Sequence, residues 1–158
     1  MRRRNIHSIR KSLNNLCVFL QEEYSINYGG CCFIASILAK HLEKIGIKYE
    51  LVIYEHTRKN IPEIKKELAN RKINKGYFNS ITGFNTCNHY CLNIIGAGYV
   101  NDLGDFDHCV QHIITEINYK DLKWIYKHGD WNDVYNTDFN TEIKGIVKEF
   151  FKKYERKN

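Results

Sequence analysis

Gly29-Gly30-Cys31-Cys32-Phe33-Ile34-Ala35-Ser36 opens a helical stretch that ends at Gly46 and is followed almost at once by the apolar run Tyr49-Glu50-Leu51-Val52-Ile53-Tyr54. The spacing predicts a helix from about Cys31 to Ile45, stopped by Gly46. Ala35, Leu38, Leu42 and Ile45 form its apolar stripe, and one turn back from Ala35 lies Cys31. Cys32 starts a second line, Ser36, Ala39 and Glu43, which reads as the more exposed. A cysteine in the first turn of a helix meets unsatisfied N–H groups that favour thiolate over thiol. The same groups can hold a developing oxyanion. Cys31 is therefore the expected nucleophile, with Cys32 second and a buried structural thiol as the plain alternative.

Upstream, Ile6, Ile9, Leu13, Leu16 and Leu20 predict an amphipathic helix from Ile6 to Tyr24, and Ser25 to Gly30 reads as a loop. Downstream, Pro62 suits the first turn of a charged helix to Lys72, and a polar stretch from Asn74 to Asn88 follows. His89 to Ile95 and Tyr99 to Leu103 read as strands joined by a Gly96-Ala97-Gly98 turn. A short strand at Ile113–Ile117, a helix from Lys120 to Tyr126 and a loop around Gly129-Asp130-Trp131 come next. The closing helix, Glu142 to Glu155, points Ile143, Ile146, Val147, Phe150 and Phe151 inward. One α+β domain over 1–158 is expected, with a central helix on a small antiparallel sheet and the terminal helices around it.

With 43% hydrophobic residues the chain has a globular composition. No apolar run approaches the length of a membrane span, and the charged, interrupted N-terminal helix is no signal peptide, so a cytoplasmic protein without a membrane partner is expected. In a reducing compartment the six cysteines read as thiols rather than disulfides. The net charge of +6 is concentrated in clusters at both ends, Arg2, Arg3, Arg4, Arg10 and Lys11, then Lys148, Lys152, Lys153, Arg156 and Lys157. These read as solvated helix faces, and with no nucleic-acid-binding signature in the chain a nucleic-acid partner is not expected. Oligomeric state is left open.

A thiol nucleophile needs a base, and the base needs a group to orient it. Of seven histidines, His7 and His41 fall on helix surfaces, His56 in a charged loop, and His108, His112 and His128 in loop-like surroundings. His89 opens a strand whose hairpin mate carries Asp102, and a carboxylate there can accept the imidazole N–H and fix its tautomer. Whether the two share a face depends on the hairpin register, with Asp105 as fallback. Metal is the rival: Cys87, His89 and Cys91 alternate along one strand face, and Cys109 or His112 would complete a zinc site.

Taken together, Gly29 to Ala35, the helix to Gly46-Ile47, His89 at a strand start and Tyr99-Val100-Asn101-Asp102-Leu103-Gly104 resemble the papain-like cysteine peptidase and transglutaminase superfamily, over Tyr28 to Phe106. The resemblance implies a triad in the order Cys31, His89, Asp102. Ala35 and Gly46 match transglutaminase-like members when Cys31 is the nucleophile. The Gly-Gly-x-Cys-Phe run of arylamine N-acetyltransferases fits Cys32 instead, and their Tyr-x-x-Asp-x-Gly run is matched at Tyr99, Asp102 and Gly104. The oxyanion side chain would come from Asn27, Tyr28 or Gln21. The expected activity is that of a thiol hydrolase acting on a peptide, protein or small amide without a cofactor. Acyl transfer on the same triad and a silent binding module are the alternatives.

Overall fold

The structure is a computed structural model and describes residues 5–27, 30–55, 89–102, 110–128 and 137–155. Within these, α1 spans Ile6–Tyr24 and α2 Cys31–Lys44; β1 is Tyr49–Glu55, β2 His89–Ile94, β3 Gly98–Val100 and β4 Val110–Ile114; α3 is Tyr119–His128 and α4 Thr137–Glu155. The fold is α+β, with a four-stranded antiparallel sheet in the order β3-β2-β1-β4. No described helix is long and apolar enough to cross a membrane. The expected helix at Pro62–Lys72 lies outside the described residues.

α2 is the centre of the packing. Ten of its fourteen residues are buried, because it packs on β2 on one side and on α3 and α4 on the other. A helix enclosed all round has no exposed stripe, and this overturns the reading of the Cys32 line as exposed: Cys32, Ser36 and Ala39 are all buried, and only Glu43 reaches solvent. Its C-terminus closes as expected. Gly46 takes the left-handed conformation (φ 75°), with Gly46 N–H donating to Glu43 O at 3.0 Å and Ile47 N–H to Leu42 O at 2.9 Å, the two bonds of a Schellman cap. A Cβ at Gly46 would meet nothing within 4 Å. Gly46→Ala should therefore cost only the backbone strain, about 1 kcal/mol, read as a shift in urea midpoint at constant slope.

Element boundaries differ from expectation at β3, β4, α3 and α4. β3 stops at Val100 because Asn101 turns left-handed (φ 64°). β4 sits three residues earlier than its apolar run suggested, and Glu116 (φ 48°) lies past its end. α3 begins at Tyr119 because Asn118 and Asp121 cap each other: Asp121 N–H donates to Asn118 Oδ1 (3.0 Å) and Asn118 N–H to Asp121 Oδ2 (3.1 Å). α4 starts at Thr137, before its apolar stripe begins.

The register assigns the faces. Leu51 pairs with Leu92 and Ile114, Ile53 with Tyr90, and Leu92 with Val100, and these side chains join the helices in one core. The opposite face carries Glu50, Val52 and Tyr54 beside Asn93, Cys91 and His89. The Asn93 amide donating to Glu50 Oε2 at 3.0 Å and the stacked rings of Tyr54 and His89 at 6.3 Å confirm that grouping.

Candidate active site around Cys31 and His89

Cys31 is the first residue of α2, and Gly30 before it supplies no side-chain cap. The first N–H groups of a helix need acceptors, and here the sulfur serves. The main-chain N–H groups of Cys31 and Cys32 favour the thiolate, and Tyr90 N–H donates to Sγ across 3.5 Å. Tyr90 lies in β2 just beyond the end of β3, so the thiol takes an edge donor that β3 leaves unpaired. One peptide bond separates Tyr90 N from His89 Cα, which puts the sulfur within about 6 Å of that Cα.

His89 points to the face opposite the helical core, while the sulfur meets the strand at its edge through Tyr90 N–H. Its Nε2 lies 2.6 Å from Asn101 O. A carbonyl only accepts, so the proton is on Nε2 and Nδ1 is the basic nitrogen. The expected orienting group was the Asp102 carboxylate; the hydrogen bond shown is instead to the main chain one residue earlier. Extending the β2–β3 register would set Asn101 opposite Cys91 and Asp102 opposite Tyr90, on the far face from His89. The left-handed turn at Asn101 breaks that alternation. Asp102 is half-buried, and its negative charge acts on His89, Cys91 and Tyr54. Asp105 and Tyr28 lie outside the described residues.

Asn101 is held by α1 and by Asn27. Its N–H donates to Asn14 Oδ1 of α1 at 2.9 Å. Its side-chain amide pairs reciprocally with that of Asn27, at 3.0 and 3.1 Å. Asn27 N–H in turn donates to Gln21 Oε1 at 2.8 Å. Gln21 and Asn27, two of the three alternatives for the oxyanion side chain, brace the residue that holds the histidine. Periodicity gave no hint of Asn14 or Asn101, although an asparagine closing a short hairpin strand is a signal for the left-handed turn.

Electrostatics set the resting protonation. Burial raises the Cys31 thiol above its ordinary pKa, although the N–H groups of Tyr90, Cys32 and Cys31 pull the other way. Burial lowers His89, against the Asn101 carbonyl and the Asp102 charge. Both shifts keep the proton on sulfur and the imidazole neutral. Cys32 donates to Leu122 O at 3.8 Å and is pushed further up by burial and by Cys31. Its neighbours are structural, which separates the two thiols.

A histidine with a lowered folded pKa binds fewer protons than in the unfolded chain, so its contribution is present above about pH 6.5 and lost as pH falls through the folded value. His89 and His41 are both shifted this way. Urea stability should hold near pH 7 and decline towards pH 5, with a shallower decline in His89→Gln; parallel profiles would contradict the assignment.

The zinc reading loses one of its two completing ligands. His112 pairs with Ile53 in β4, on the face opposite His89 and Cys91. Among the described residues no group of three or more His, Cys, Asp or Glu could hold a metal ion; Cys87 and Cys109 lie outside them. Cys17, Cys31, Cys32 and Cys91 are all thiols. No family model, no curated protein and no solved structure matches the chain.

Proposed function

We propose that the chain is a thiol-dependent hydrolase of papain-like or transglutaminase-like build, acting on an amide or ester of a peptide, protein or small molecule. The observation that carries this reading is the Cys31 sulfur at the start of α2, bonded to Tyr90 N–H beside the peptide of a histidine with a fixed tautomer. Because the resting pair is neutral, His89 acts as general base during attack. Nδ1 takes the thiol proton as Sγ bonds to the acyl carbon. The same proton passes to the leaving amine or alcohol as its bond to carbon breaks. Water then attacks the thioester, giving a proton to Nδ1 that returns to sulfur on release of the acid. The N–H groups around the sulfur support the oxyanion, and Asp102 stabilises the imidazolium. A reducing, cytoplasmic setting suits the four thiols.

A second reading draws on burial. Cys31 is only 5% exposed, and its sulfur satisfies helix-terminal donors, as a cap in a binding module would. Incubation with p-nitrophenyl acetate separates the two. The enzyme reading expects acetyl on Cys31 in intact and peptide mass spectra, followed by its loss to water. A chain that gains acetyl there only when unfolded supports the cap.

A further inference from the structure

α2, α3 and α4 enclose a cleft of about 530 Å³ on the side of α2 away from the sheet. Seven of its fifteen lining residues are lysines, against one carboxylate, Glu155. They recur at four-residue intervals along the three helices, Lys40 and Lys44, Lys123 and Lys127, then Lys144, Lys148 and Lys152, so each is held beside a like charge. Glu155 pairs with Lys44 at 2.9 Å, and Glu149, outside the cleft, pairs with Lys152. The chain's net charge is +6, and the cleft gathers a surplus of similar size in one concavity. Lys148 and Lys152, read from the sequence as a solvated face, belong to this wall.

The cleft also has a planar side. The rings of Phe33 and Tyr126 lie 5.1 Å apart, and the Lys144 ammonium sits 5.8 Å over Phe33. His41, expected on the surface, is half-buried and stacks on Phe151 at 4.8 Å. Its Nδ1 and Asn140 Oδ1 are buried polar atoms of cleft residues with no hydrogen-bond partner among the described residues. Like charges brought together in one concavity destabilise the empty cleft and favour an anion that fills it. The volume is that of a small-molecule site, and three walls suit a compact ligand better than an extended strand.

We propose that this cleft binds a nucleotide-class polyanion, its phosphates on Lys40, Lys123, Lys144 and Lys148 and its planar end against Tyr126. The site is independent of Cys31, whose sulfur faces β2. Titration of the full chain with ATP at low salt is expected to give saturable one-to-one binding that weakens as salt rises. Inorganic tripolyphosphate should bind at least fivefold more weakly and adenosine more weakly still. Lys144→Gln with Lys148→Gln should raise the ATP Kd at least tenfold without loss of fold, since both side chains are exposed. Tyr126→Leu should weaken ATP and leave tripolyphosphate unchanged. No saturable ATP binding at millimolar concentration, an unchanged Kd in the double variant, or tighter binding of a twenty-nucleotide single strand through the same lysines would each overturn the proposal.

Discussion

Asn101→Ala should lower the unfolding free energy by about 3 kcal/mol, one of the largest losses available to a polar residue in this chain. Asn101 is 2% exposed, has φ 64° and shares two amide hydrogen bonds with Asn27. Two such bonds contribute about 1 kcal/mol each, and forcing alanine into the left-handed region costs about 1 more. Asn101→Gly separates these causes, since glycine accepts the backbone and loses only the amides, about 2 kcal/mol. Urea unfolding of the three proteins checks the order. A loss below about 1 kcal/mol in the alanine variant would mean that the Asn14–Asn101–Asn27 network is not what fixes the end of β3. The same variant should slow acylation of Cys31, because the Asn101 carbonyl holds the His89 ring.

Cys31→Ala should abolish acetyl transfer from p-nitrophenyl acetate to the folded chain, a loss of at least about a thousandfold in rate. Its fold should persist with a modest loss of stability, since the N–H groups of Cys31, Cys32 and Tyr90 lose their acceptor. Cys32→Ala should keep the reaction: that sulfur belongs to the apolar core and donates to Leu122 O. Peptide mass spectrometry after a timed incubation reads both variants. Retention of the adduct in Cys31→Ala with its loss in Cys32→Ala would move the chemistry to the second thiol.

Much of the architecture was legible in the chain because it follows from local rules. The period of α1, the glycine that ends α2, the apolar β1 and the Gly96-Ala97-Gly98 turn each carry their own signal, and the structure reproduces them within a residue or so. Boundaries set by side-chain capping were harder: the Asn118–Asp121 cap starts α3, and only coordinates show the two side chains reaching each other's N–H. Cys31 could be preferred over Cys32 from helix phase, yet the phase argument took Cys32 to be exposed, because one face of periodicity cannot reveal that α3 and α4 cover the other. At the site, the two side chains nearest in sequence logic, His89 and Asp102, depended on register. A single left-handed residue, Asn101, replaced the carboxylate with a carbonyl. The lysine-lined cleft was invisible for a related reason. Its lysines come from three helices separated in the chain, and only their packing gathers them.

In the proposed reaction a neutral Cys31 is activated by a neutral His89 whose Nδ1 is the base. The most direct measurement is the rate of Cys31 acylation by p-nitrophenyl acetate as a function of pH, in the parent chain and in His89→Ala. The rate is expected to rise through a midpoint below the ordinary histidine value of about 6.5 and then level off, and to fall about a hundredfold or more in His89→Ala. A rate that climbs steadily into the range of thiol ionisation, equal in both proteins, would show that the sulfur ionises without the imidazole, and would contradict the claim.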